Sequence, residues 1–179
     1  MSVIIFKSFF ITANFNSAKI SKTNFRKVIR NVDFTKTEIS MTNFIGEVSV
    51  SYFNLAKITE INFHEIITAT EFRAAAISKT DFHKNVLGCY FSASDPEKFT
   101  KISETNFHQL VAGSEFLEAE ISATNFMGAV SDSKFEEAKI SATSFMGEVS
   151  DSQFEGAKIS ETNFMDAEFS SHFIAQAGD

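Results

Sequence analysis

SKFEEAKISATSFMGEVSDSQFEGAKISETNF, residues 133–164, states nearly the same phrase twice. Each large apolar residue of the first copy returns 19 positions later: Phe135 as Phe154, Ile140 as Ile159, Phe145 as Phe164. A period near 20 marks a repeat architecture, in which one structural unit stacks on the next.

The same beat runs outward from this stretch over the chain. From Phe6 the large residues arrive at steps of 4, 5, 5 and 5: Phe6, Phe10, Phe15, Ile20, Phe25, Ile29, Phe34, Ile39, Phe44, Val48, and so on to Phe91. After one interruption the count resumes at Ile102 and continues to Phe164. A step of 5 fits neither the 3.6 of a helix nor the 2 of a strand. Every fourth member has the same type, so four steps close one circuit of a four-sided solenoid. We number the sides by their central residue: first (Phe15, Phe34), second (Ile20, Ile39), third (Phe25, Phe44) and fourth (Ile29, Val48).

The residue two places before each large one is small. It is usually Ala on the second side (Ala18, Ala56, Ala75), Thr on the third (Thr23, Thr42, Thr80) and often Ser before the first-side Phe (Ser51, Ser114, Ser133). In extended chain, residues i and i−2 point to the same side. One large and one small residue per side therefore face inward, and the Lys, Glu, Asp and Asn between them face water. Local pattern and global path agree, which is how a sequence specifies one structure.

The segments AKISA, TNFMG, SKFEE and AKISE resemble the pentapeptide-repeat family, whose consensus is Ala-(Asp/Asn)-Leu-x-x. The resemblance covers residues 6 to about 174 and implies an all-β fold, a right-handed quadrilateral parallel β-helix. The chain departs from the family in three ways. Ile and Phe replace Leu, Thr is frequent at the small position, and the fourth side has only four residues per turn (Glu148-Val149-Ser150-Asp151), giving a 19-residue coil. One corner is expected to be tighter or one side less regular. About eight to nine coils stacked at about 4.8 Å make a rod on the order of 40 Å long, with two internal columns of Phe.

Residues 1–179 then form a single domain, with an N-terminal cap at 1–10, a loop at 92–100 and a C-terminal cap or tail at 165–179. Six residues are inserted between Phe91 and Ile102. The segment holds the only Pro, Pro96, after Asp95, a turn-initiating pair. Insertions on a regular repeat map to surface loops and often to function, so Ser94, Asp95, Pro96, Glu97, Lys98 and Phe99 are candidate partner-binding residues. An exposed Phe99 favours a partner; a buried one favours simple packing. The slipped lattice near the C-terminus leaves Phe169, Phe173 and Ile174 as candidate end-to-end dimer contacts.

Charge is uneven. Residues 1–90 carry 11 cationic and 7 acidic side chains, net +4; residues 91–179 carry 5 and 16, net −11. The acidic half argues against direct nucleic-acid binding, which needs clustered cations. The single Cys89 excludes a disulfide framework. MSVIIFKSFF is short for a spanning segment and is interrupted by Lys7, so a cytoplasmic location and no membrane partner are expected.

Two outer features stand out. His64, His83 and His108 share one position in three successive coils, but without a recognisable ligand spacing no metal is assigned. The fourth side is polar at its C-terminal end and apolar in the middle, where Ile66, Leu87 and Leu110 are candidate binding residues; an irregular side that folds them inward is the alternative. Phosphate loops, nucleophile elbows, HExxH and CxxC motifs are missing, so neither catalysis nor a cofactor is expected. The sequence points to a protein-binding scaffold. The resemblance adds the family's DNA-mimic type, which binds DNA gyrase or topoisomerase IV and protects it from inhibitors. A self-assembling structural element is the third reading.

Overall fold

A large and a small inward side chain in every five residues can both be hidden only if the backbone turns a corner after each group. The computed structural model describes residues 4–6, 9–95, 97–164 and 176–177, and follows that path throughout. Eight coils are bridged along the first side, from Asn14 through Tyr52 and Glu115 to Gln153. The second and third sides form one 16-stranded sheet and the fourth an 8-stranded sheet, with parallel pairing from coil to coil. The chain is an all-β parallel solenoid; among the described residues there is no helix, and so none long and apolar enough to cross a membrane.

The register is the sequence lattice made solid. Ile39 pairs with Ile58, Phe44 with Phe63, and Val48 with Ile67, each 19 residues on. Inside, Phe25, Phe44 and Phe63 lie above one another with ring centroids 4.9 and 4.8 Å apart. The first-side column does the same, as Phe72, Phe91 and Phe116 show at 4.8 Å per step. The two columns face each other across the interior and meet edge-on, Phe91 and Phe107 at 5.9 Å and 88°. Rings so arranged put the positive edge of one against the negative face of the next. The inward Thr and Ser are fully buried yet satisfied, each hydroxyl bonding a backbone carbonyl nearby, as Thr80 does to Ser78 at 3.0 Å and Thr124 to Ser122 at 3.0 Å. Cys89 takes the small position in one coil, where burial pushes its thiol up to about 12 and leaves it unreactive.

The corners are not alike. Three per coil, or two in the coil that carries the loop, turn through a residue at positive φ, as at Lys36 (57°), Met41 (47°) and Val50 (48°). Such φ values are unfavourable for side chains with a Cβ, most of all β-branched Val. The stack enforces them: the N–H of Val50 reaches the Thr68 carbonyl at 3.0 Å and that of Lys36 the Asn54 carbonyl at 2.9 Å. The fourth corner, from third side to fourth, has no positive φ and absorbs the shortened step. There Gly46, Gly128 and Gly147 lie so close to the preceding coil that an added Cβ would meet its backbone at 2.4, 2.4 and 2.6 Å. The expected tightening thus falls at a corner, while the fourth side keeps its ladder.

The insertion leaves this frame intact. Ala76 pairs with Lys101 and Phe82 with Phe107, steps of 25 instead of 19, so no inward residue changes face. Six residues leave the wall at the corner between the first and second sides. At the N-terminal end, Ile4–Phe6 pairs with Thr23–Phe25 and Phe10–Ile11 with Ile29–Arg30, continuing the third and fourth sides.

Candidate functional site

With the interior uniform, any recognition rests on the outer columns. On the second side the outward column runs Lys19, Glu38, Lys57, Ala76, Lys101, Glu120, Lys139 and Lys158, so each Glu stands between two Lys. Glu38 lies 3.0 Å from Lys19 and 3.9 Å from Lys57, and Glu120 lies 3.1 Å from Lys139 and 3.3 Å from Lys101. The Lys139 hydrogen bond, with Lys101 behind it, outweighs partial burial and holds the Glu120 carboxyl below its ordinary range. These pairs are solvent-exposed and contribute little each. Lys outnumbers Glu in this column, so it is not acidic.

The third side carries a column of amides. Asn43 donates to Asn24 at 2.7 Å, Asn62 to Asn43 at 2.9 Å, and Asn125 to Asn106 at 2.8 Å. Asp81 interrupts the run, accepting from Asn106 at 2.8 Å and contacting His108 at 3.2 Å. Sequence reasoning counted these Asn only as water-facing; the recurring TNF triplet was the available signal.

Beside the amides, the rings of His64, His83 and His108 are stacked, with centroids 5.1 and 5.0 Å apart and planes within 17° and 14°. Imidazole lone pairs lie in the ring plane, so parallel rings aim them alongside one another instead of at a common ion. Among the described residues, no group of three or more His, Cys, Asp or Glu could hold a metal ion. Burial, with the neighbouring His108 and His64, depresses the tendency of His83 to take a proton.

On the fourth side, Ile66 is 37% exposed, and Leu87 and Leu110 are partly exposed. The inward alternative is excluded, because Ile67, Val86 and Val111 fill the core positions next to them. Pairing sets Leu87 between Thr68 and Ala112. The strip is apolar in its middle coils and again in its first, where Phe9 and Ile11 are exposed. Lys27 and Arg30 lie toward its N-terminal end, Asp132, Glu148 and Asp151 toward its C-terminal end, and all five are exposed.

The loop is a small structure of its own. The Ser94 N–H bonds the Lys98 carbonyl at 3.1 Å, the Lys98 N–H returns to the Asp95 carbonyl at 3.0 Å, and Lys98 Nζ lies 3.1 Å from the Asp95 carboxylate. The Glu97 N–H, together with Lys98, holds that carboxyl below its ordinary range. Buried Thr100 pins the return, its hydroxyl 2.7 Å from the Ser92 carbonyl and 3.0 Å from that of Phe72. Phe99 is neither buried nor free: it is half-exposed, with Lys139 Nζ 5.4 Å from its ring centre. It borders a shallow groove of about 350 Å³ with Glu118, Glu137, Lys139, Gly156 and Lys158. The loop therefore lies down along the first–second corner toward the C-terminal coils. Pro96, Phe169, Phe173 and Ile174 fall outside the described residues.

Three solved structures resemble the chain at low identity. One is HetL, a pentapeptide repeat protein involved in heterocyst differentiation regulation from the cyanobacterium Nostoc sp. strain PCC 7120, with 10% identity, TM-score 0.41, and 89% of this chain and 86% of that one covered. Full-length QnrB1, a plasmid-mediated fluoroquinolone resistance protein, matches with 13% identity and TM-score 0.31 over 88% of this chain and 92% of its own. A trypsin-treated QnrB1 variant matches with 15% identity and TM-score 0.31 over 88% and 90%. No family model and no curated protein matches the chain. The stacked five-residue sides are themselves those of a solenoid of pentapeptide-repeat form.

Proposed function

We propose that this pentapeptide-repeat solenoid is a non-catalytic scaffold that recognises another protein at the corner carrying its single inserted loop. The observation behind this reading is the state of Phe99. A tolerated insertion has no need of a locked turn at Asp95–Lys98, a buried Thr100 anchor and a half-exposed aromatic ring set on Lys139 beside a groove. Aromatic anchors rimmed by charge are the common currency of protein recognition.

Deleting Ser94 to Phe99 rejoins Ser92-Ala93 to Thr100-Lys101-Ile102, a regular five-residue side. The test is affinity capture from source cells, using the wild type, the loop deletion and Phe99→Ala as bait. A protein held by the wild type and lost with both changes supports the reading. Equal retention by all three ends it.

The DNA-mimic reading has one observation in its favour, the Glu cluster of the C-terminal coils at the first side and its corner: Glu115, Glu118, Glu136, Glu137 and Glu155. Against it stand the Lys–Glu columns of the second side, which break any continuous negative potential along the rod. A gyrase supercoiling assay with and without a quinolone decides: no protection at micromolar protein removes this reading.

A further inference from the structure

We propose that the fourth side binds a second copy of this chain, face to face and antiparallel, in a two-fold dimer centred on Leu87. The inference does not rest on the loop reading. It follows from how apolar and charged residues are ordered along one sheet.

A two-fold interface is made from one surface meeting itself, so that surface must be self-complementary. The fourth side meets this condition in one orientation. Its ladder sets Ile67 beside Val86 and Val86 beside Val111, which places Ile66, Leu87 and Leu110 on consecutive coils. An axis across the sheet at Leu87 brings Ile66 opposite the partner's Leu110, and Leu87 opposite the partner's Leu87. Three coils further out, the same operation sets Arg30 opposite the partner's Ser150, between the partner's Glu148 and the partner's Asp151. Lys27 comes beside the same carboxylates. Glu47 faces the partner's Ala129 and Glu65 the partner's Gln109, so these carboxylates have no carboxylate directly opposite.

The alternative orientation fails on charge. With the two rods parallel, each coil would meet its own copy, which brings the Lys27 and Arg30 coil against the same basic coil of the partner and the Glu148 and Asp151 coil against the same acidic one, at a cost in free energy at both ends. The antiparallel pairing has one like-charge approach, Lys84 near its own symmetry mate. Lys84 sits at the edge of the face, where water screens it.

The size of the face sets the strength. The axis pairs seven coils, from that of Ile29 to that of Val149; at about 4.8 Å each and a side of about four steps at about 3.3 Å they give roughly 450 Å² per chain. A total of roughly 900 Å² is just under the usual lower limit for a stable specific interface, so weak, micromolar, salt-sensitive association is expected. The loop corner lies diagonally away from this face and stays free in the dimer.

The test is sedimentation equilibrium of the whole chain up to about 100 micromolar, at a dissociation constant on the micromolar scale. Leu87→Asp and Arg30→Glu should each weaken the dimer at least tenfold. Combining Arg30→Glu with Glu148→Lys and Asp151→Lys should restore it, because exchanging both partners' charges preserves the match. Independently, Leu87→Cys should give a disulfide-linked dimer on mild oxidation, while the wild type, whose only thiol is buried Cys89, should not. A monomer throughout that range overturns the proposal. So does a dimer indifferent to Leu87→Asp and Arg30→Glu, as an end-to-end contact would be, or a Leu87→Cys chain that fails to cross-link.

Discussion

The coils before the inserted loop and those after it are the same molecule inside and different molecules outside. Phe53, Ile58 and Phe63 in an early coil occupy the positions of Phe116, Ile121 and Phe126 in a late one, with the same spacing and near-zero exposure. Outside, the early half is net positive and carries His64 and His83 on its third side, whereas the late half is strongly negative and, after His108, carries Met127 and Met146 in their place, the amides running through both. The core cannot tell the two halves apart, since stacking asks only for a bulky residue in line. The surface is therefore free to diverge coil by coil, and it is where recognition is written.

The sharpest way to break this comparison is to cut the same hole in both halves. Phe53→Ala and Phe116→Ala, which take the same place on the first side, should each cost about 3–5 kcal/mol in urea unfolding, in line with other buried aromatic truncations. A difference between them well beyond the error of the extrapolation would mean that the two interiors are not equivalent. In a solenoid, where each coil contacts only its neighbours, either cut also divides the rod into two cooperative pieces.

The corners offer the next test. Gly128→Ala places a methyl 2.4 Å from the Gln109 backbone, so the coil must shift; a loss of about 1–3 kcal/mol is expected. Gly88→Ala meets nothing within 4 Å and is strained only by its φ of 58°, so it should cost about 1 kcal/mol or less. Reversed costs would show that the shortened step is not absorbed where the coils come closest.

A smaller effect of opposite sign is expected at Val50, a β-branched residue held at φ 48° with its side chain largely in water. Val50→Asn should raise stability by about 1 kcal/mol, because Asn tolerates the left-handed region. Thermal or urea unfolding checks it, and a loss would mean that the side chain of Val50 packs more than its 39% exposure suggests.

The smallest effect is read by pH. His83 is held below its ordinary value of 6.5 by burial and by His108 and His64, so the unfolded chain takes the proton first. The sign follows: stability is intact above about pH 6.5 and falls as the pH drops through and below that value. His83→Gln should flatten the fall in melting temperature between about pH 7 and pH 5.5. Glu38, held down chiefly by Lys19, and Glu120, held down chiefly by Lys139, act lower, below about pH 4.5, so the windows are distinct. A wild type and variant with the same slope would remove the stacked imidazoles as its cause.

The sequence by itself determined the interior. A four-sided path, two Phe columns, a 19-residue coil and a six-residue insertion were all legible, because each inward residue repeats at a spacing set by its own few neighbours. What only the tertiary structure decided lies on the outside and at the corners. Glu120 meets Lys139 and Lys101, His83 meets His64 and His108, and Phe99 meets Lys139 across distances of 19 to 40 residues in the chain. No local pattern selects which outward side chains touch. That depends on how the coils register, on which corner gives up a residue, and on the direction in which the loop lies down.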